Sequence, residues 1–169
     1  WAGIWIGYSS NNSILGNKIT TSDWGIWLHD SSNGNNLSAN NITNNSEYGI
    51  KLDSSNNMLK NNSMSDNMYN FAVGGGCIND VDVSNTVDGK PLYYWINKVD
   101  KTIPLGAGYV ALVNCTRITV QNLILSKNGQ GVLMAYTTNS TITKNNITNN
   151  VYGIELFESS SNSISGNNI

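Results

Sequence analysis

Charge is scarce in this chain: Asp, Glu, Lys and Arg make up 12% of its 169 residues, and acids and bases nearly cancel to a formal net charge of −2. No run of Lys or Arg occurs, so the basic footprint that grips nucleic-acid phosphates is missing and no nucleic-acid partner is expected. Apolar runs are also short, far below the roughly 20 residues of a helical membrane span, so none is expected. Two cysteines, Cys77 and Cys115, neither in a CxxC, make no disulfide framework and no thiolate metal cluster. Their places in the repeat described below differ by one residue, so a bridge between them would need an intervening turn. His29 is the one histidine and Arg117 the one arginine. Helix formers are sparse. Disorder is excluded as well, because it calls for high net charge and few β-branched or aromatic residues, and here Ile, Val, Trp and Tyr recur at fixed places.

What fills the chain instead is asparagine, thirty of it, in a repeating unit. The clearest copy is Ser140–Ile147. Its kernel, apolar-x-x-Asn-x-apolar, occurs at Ile14–Ile19, Leu37–Ile42, Leu59–Met64, Ile142–Ile147 and Ile164–Ile169, with a looser form at Ile118–Leu123. Ahead of each clear copy stands a glycine followed by apolar residues spaced by two: Gly3-Ile4-Trp5-Ile6, Gly25-Ile26-Trp27-Leu28, Gly49-Ile50-Lys51-Leu52, Gly131-Val132-Leu133-Met134 and Gly153-Ile154-Glu155-Leu156. Ala72 and Gly108 fill the intervening places, so five of six steps are 22 to 24 residues and one is 36. A period of this size marks a solenoid, whose units bury their apolar faces only by stacking. The spacing by two, with no helical period, makes the units short strands.

Three apolar stations per unit, separated by polar turns, predict a triangular turn, and turns stacked about 4.8 Å apart place equal residues above one another. The expected fold is all-β: a single-stranded, right-handed parallel β-helix of about seven coils over residues 1–169. Asn17, Asn40, Asn62, Asn145 and Asn167 then form ladders of stacked amides. The long step holds residues 88–106, with both prolines, a cluster of Lys and the run Tyr93-Tyr94-Trp95. Asp88-Gly89 is a turn signal and Tyr93–Ile96 a strand signal, so this segment is expected as an excursion, a hairpin or extra strand against the rod. The chain begins and ends within a repeat, so it is expected to be a piece of a longer solenoid. Its open ends would stack on neighbouring coils of the parent or end to end on another copy.

The Gly-Ile-x-Leu, Ser-x-Asn-x-Ile and Asn-Asn-Ile-Thr-Asn-Asn elements, with the interposed Val87–Tyr94, resemble the NosD-type parallel β-helix repeats of archaeal and bacterial cell-surface proteins. The resemblance covers essentially the whole chain. It implies a β-helix in an extracellular, cell-surface or periplasmic setting associated with carbohydrate. The class includes a copper-site maturation factor, polysaccharide lyases, hydrolases and epimerases, and surface proteins without known activity, so the fold does not choose among them. Copper would call for clustered Met, Cys or His, and Met58, Met64, Met68 and Met134 share no face. No metal and no cofactor are expected.

Aligned at the glycine, Trp5, Trp27, Lys51, Leu133 and Glu155 form one outward column, and Gly7, His29, Asp53, Ala135 and Phe157 a second. Trp5 and Trp27 offer a flat apolar platform of the kind that stacks on sugar rings, with Lys51, His29 and Asp53 beside it for hydroxyls or a carboxylate. Two outward tryptophans also suit a protein contact or cover by the insertion. Tyr93, Tyr94 and Trp95 are a second candidate binding element. For catalysis, Asp30 and Asp53, one coil apart, are the available carboxyl pair, since a glycosidase needs two at about 5 to 9.5 Å. His29 would be the base, but Arg117 lies on another side of the coil and a lyase would lack its cation. The function expected is a non-enzymatic extracellular or cell-surface module, structural, adhesive or polysaccharide-binding. A polysaccharide-processing enzyme is the alternative.

Overall fold

In the first turns the alternation seen in the sequence becomes an alternation of sides. Along Trp24–His29, Ile26 and Leu28 are buried while Trp27 and His29 face outward, and Leu37 of Asn36–Ser38 and Ile42 of Asn41–Thr43 close the same core. The structure, a computed structural model covering residues 1–169, consists of strands and turns without helix. Parallel pairing stacks Ile4, Ile26, Ile50 and Phe71 in one column and Ile6, Leu28, Leu52 and Val73 in the next. The second side stacks Ile14, Leu37, Leu59 and Val81, and the third stacks Ile19, Ile42, Met64 and Val87. The fold is the expected all-β parallel solenoid of about seven turns.

Asparagine performs two separate tasks in it. At the corners of the turns nine asparagines, among them Asn44, Asn61, Asn122 and Asn149, hold the left-handed backbone that other side chains resist. The ladder asparagines sit between corners with their amides inward. Asn62 Oδ1 accepts from the backbone N–H of Asn40 at 3.1 Å and from its Nδ2 at 2.9 Å, while Asn62 Nδ2 donates to Leu37 O and Asn85 Oδ1, each at 2.8 Å. One such ladder runs Asn17–Asn40–Asn62–Asn85 and a parallel one Asn12–Asn35–Asn57–Asn79. Asn45–Asn67 makes the same contact at another corner of the first stack, and Asn145–Asn167 makes it in the other half of the chain. The bonds to backbone, such as Asn40 N–H to Asn62 Oδ1 and Asn62 Nδ2 to Leu37 O, satisfy main-chain groups at the turns, and the amide-to-amide bonds tie successive turns together.

Residues 88–106, expected as an excursion, are built into the wall. Asp88 and Gly89, both with positive φ, make a two-residue hairpin that pairs Thr86–Val87 with the start of Lys90–Ile96 antiparallel. Lys90–Ile96 then pairs in parallel with Tyr109–Val113, which pairs with Gln130–Ala135 and that with Tyr152–Phe157. One eight-stranded sheet therefore carries strands of both directions. Leu92 and Tyr94 face the core of the first stack, whereas Tyr93 and Trp95 pack on a second core built from Val110, Leu112, Val120, Leu125, Val132, Met134, Ile142 and Ile147. Strand direction and core side change together, so the two stacks wind with the same hand; either change alone would invert it.

The far side of the second wall lies over the last turn of the first stack. Tyr109, fully buried, meets Phe71 edge-on with ring centroids 5.0 Å apart. The backbone of Lys127 and Gly129 pairs with Asn70 and Phe71, at 2.6 and 2.9 Å. Gln130 completes the seam, accepting from Val73 N–H at 3.2 Å and donating to Val73 O at 2.6 Å. The second stack is thus the cover of the first, and its burial of two phenols has a consequence for pH. Burial pushes the Tyr109 hydroxyl well above the ordinary phenol value of about 10, and Tyr94, which donates to Cys77 O, is pushed up by the same cause. The folded chain keeps protons there that the unfolded chain releases, so this stability is complete below the ordinary phenol value and declines as pH rises past it. Urea melts across that range are expected to show a steep alkaline loss that Tyr109→Phe makes shallower.

Candidate functional site

The outward residues of the first wall define the site. Register places Trp5, Trp27, Lys51 and Ala72 in one column, and Gly7 beside His29 in the next. Leu133 and Glu155 do not continue this column: they stack above Tyr94 and Ala111 in the second stack, because the hairpin at Asp88-Gly89 interrupts the alignment.

Trp24, Trp27 and His29, on one strand, form a cluster of edge-on rings, with centroids 4.2 Å apart for the tryptophan pair and 4.4 Å for Trp27 and His29. With Trp1, Ala2 and Trp5 they line a recess of about 470 Å³. Acids from the next turn hold the indoles: Trp27 Nε1 donates to Asp53 Oδ2 at 2.6 Å, and Trp24 Nε1 donates to Glu47. Lys51 Nζ lies 3.4 Å from Asp53 Oδ2, 5.2 Å from the centre of the Trp27 ring and 5.5 Å from that of Tyr48. Trp5 remains 56% exposed. The arrangement is a fixed, half-open aromatic face with a charged lip.

Of the other sequence candidates, Asp30 stands at a corner with φ of 45° beside His29, and Asp53 is occupied by Trp27 and Lys51. Tyr94 is buried in the first core, so it is closed to a ligand, and Tyr93 and Trp95 are half-buried against the second. Arg117 is paired with Asp100 at 2.5 and 2.8 Å on an exposed corner of the second stack. Both cysteines are free thiols, Cys77 beside the first core and Cys115 in the second. Residues that sequence alignment did not bring to the site are Gln130 and Tyr152, which line a cleft beside Lys51 and Asp53 from the second stack; Glu155, aligned with the column in the sequence, reaches the same cleft from that stack and not by continuing the column.

Fold and site together define a parallel β-solenoid that presents an aromatic face. The model of the family described as "Periplasmic copper-binding protein (NosD)" matches residues 1–92 and 95–169, and the chain belongs to that family. The family description supports a periplasmic or extracellular location. Comparison with curated proteins and with solved structures returned no match.

The copper in the family description would call for clustered thiolate, thioether or imidazole donors. No three His, Cys, Asp or Glu side chains gather where they would share an ion. Met64 and Met134 fill different cores, and Met58 and Met68 are exposed at separate places. Burial raises the titration of both thiols, away from the thiolate a soft metal binds. The residues of this chain do not fit a copper site.

Proposed function

We propose that this chain is a non-catalytic periplasmic or extracellular module that binds carbohydrate on the face of Trp5, Trp24, Trp27 and His29. The observation that carries the reading is the recess itself, lined by four tryptophans, Ala2 and His29. A sugar ring has an apolar face and a rim of hydroxyls, and it is matched by indole surface bordered by hydrogen-bonding groups. Here those groups are Lys51, Asp53 and His29. Because the indole N–H groups of Trp24 and Trp27 are already held by acids, little side-chain freedom remains to be lost on binding.

Support for a non-catalytic role comes from the carboxylates. Asp53 is already held by Trp27 and Lys51, and Asp30 stands at a left-handed corner paired with His29. The test is a titration of tryptophan fluorescence with oligosaccharides, alongside assays for new reducing ends and unsaturated products. Saturable binding that Trp5→Ala weakens about tenfold or more, in the range of a lost aromatic contact, is the expected result. Turnover that disappears in Asp30→Ala or Asp53→Ala would make the chain an enzyme.

A further inference from the structure

The outward column does not run out into solvent. Its fourth place, Ala72, is 4% exposed because Gly129 of the second stack lies on it: a Cβ built on Gly129 would stand 2.5 Å from that of Ala72. Where the second wall crosses, a cleft of about 320 Å³ opens between the stacks, with Tyr48, Lys51 and Asp53 on one side and Gln130, Tyr152 and Glu155 on the other. Glu155 and Gly74 also line a second recess of about 260 Å³, walled by Leu133, Tyr136 and Phe157, so the cleft continues along the seam.

Asp53 joins the cleft to the aromatic face. Its Oδ2 accepts from Trp27, while its other oxygen, Oδ1, lies against Gly74 at the mouth of the cleft, where a Cβ on that glycine would overlap it. Gln130 is a strut and not a ligand group, since its amide is used fully by Val73, by the Tyr109 hydroxyl at 3.1 Å and by Glu155 Oε2 at 2.8 Å. That last bond uses one oxygen of the Glu155 carboxylate, which lines the cleft, and leaves the other without a hydrogen-bond partner in the chain. The side chains that meet a ligand are therefore two carboxylates, one lysine already shared with Asp53, and the rings of Tyr48 and Tyr152.

We infer that the cleft is a second carbohydrate subsite, so that the module binds an extended, uncharged polysaccharide lying along the stack. This rests on the reading of the aromatic face as a sugar platform. Trp5, Trp27 and Lys51 stand in successive layers about 4.8 Å apart, so a chain lying across the two tryptophans is delivered to Asp53 and then to Glu155. Carboxylates accept hydroxyl hydrogens strongly and repel uronates, and the excess of acid over base in the cleft selects against acidic polymers.

Calorimetric titration of the whole chain with neutral disaccharides, neutral hexasaccharides and matched oligouronates tests this. Hexasaccharide is expected to bind more tightly than disaccharide. Tyr152→Ala and Glu155→Ala are expected to weaken hexasaccharide about tenfold, the worth of one hydrogen bond to a charged group, and to leave disaccharide unchanged, while Trp5→Ala weakens both. Thermal melts establish that each variant is folded, and Glu155→Gln, which retains a partner for Gln130, serves as the conservative check. If hexasaccharide gains nothing over disaccharide, or Tyr152→Ala is silent while Trp5→Ala is not, the second subsite is wrong and the aromatic face stands. Preference for uronates overturns the uncharged class. No binding of any saccharide by the folded chain overturns both readings.

Discussion

Gln130→Leu is expected to uncouple the two stacks. The side chain sits 4% exposed in the seam and serves Val73 N–H, Val73 O and the Tyr109 hydroxyl, with no other partner for either Val73 group on that edge of the strand. Leucine has nearly the same bulk and none of the polar atoms, so these groups are left buried and unpaired. Each costs about 1–3 kcal/mol, against a total stability of about 5–15 kcal/mol for a domain. Trp1, Trp5, Trp24 and Trp27 report on the first stack and Trp95 on the second, so fluorescence and circular dichroism follow different mixtures of the two. In the native chain the two signals are expected to coincide in a urea melt. In Gln130→Leu the fluorescence midpoint is expected to fall first and the curves to separate. Coincident curves at an unchanged midpoint would show that the shared wall, the Phe71–Tyr109 contact and the backbone bonds of Asn70 and Phe71 hold the stacks together without Gln130.

The seam was also the part of the molecule least visible in the sequence. The repeat is legible because every layer obeys the same constraints, so Gly-Ile-x-Leu and the ladder kernel recur wherever a turn is regular. Asp88-Gly89 announces a turn, yet a change of strand direction together with core side leaves the repeat unchanged on either side of it. The usual signal of which side faces inward is silent there, since Leu92 and Tyr94 serve one core and Tyr93 and Trp95 the other, and all four are apolar or aromatic. A strand buried on both faces loses its alternation. The trace lies in Tyr109–Val113 and in Val132–Ala135, unbroken apolar runs where the first turns alternate, and the structure buries every residue of both. Asn85 escaped the ladder assignment for a related reason: the stretch from Val81 to Asn85 is one residue longer than in the regular copies. For the site, Trp5, Trp27 and Lys51 follow from alignment within one stack. Tyr152 and Glu155 come from the other: the repeat spacing put Glu155 in the same outward column, but its approach to Asp53 is across the seam, and no spacing along the chain shows that.

The signature glycines owe their place to crowding and not to backbone conformation, and this separates two kinds of substitution. Gly25, which has no positive φ, stands where the first strand of a turn meets the isoleucine that closes the turn: a Cβ there would be 2.3 Å from Ile42 Cγ2, 2.5 Å from Gly49 O and 3.1 Å from Asn45 Nδ2. Gly3, Gly131 and Gly153 meet Ile19, Ile147 and Ile169 in the same way. Neither obstacle can yield cheaply, because Ile42 is a fully buried member of the core column and Gly49 O belongs to the layer above. Gly25→Val therefore has to separate two layers, and its expected cost exceeds the roughly 1–3 kcal/mol of ordinary overpacking. Gly16 is the contrast. It has φ of 68° with nothing within 4 Å of its Cβ position, so Gly16→Ala meets only the left-handed backbone penalty of about 1–2 kcal/mol. Denaturant melts of the two variants are expected to leave Gly16→Ala folded with a lowered midpoint and Gly25→Val largely unfolded without denaturant. Equal, small shifts in both would mean that the layers part easily, and the glycine at the head of each turn would then need another explanation.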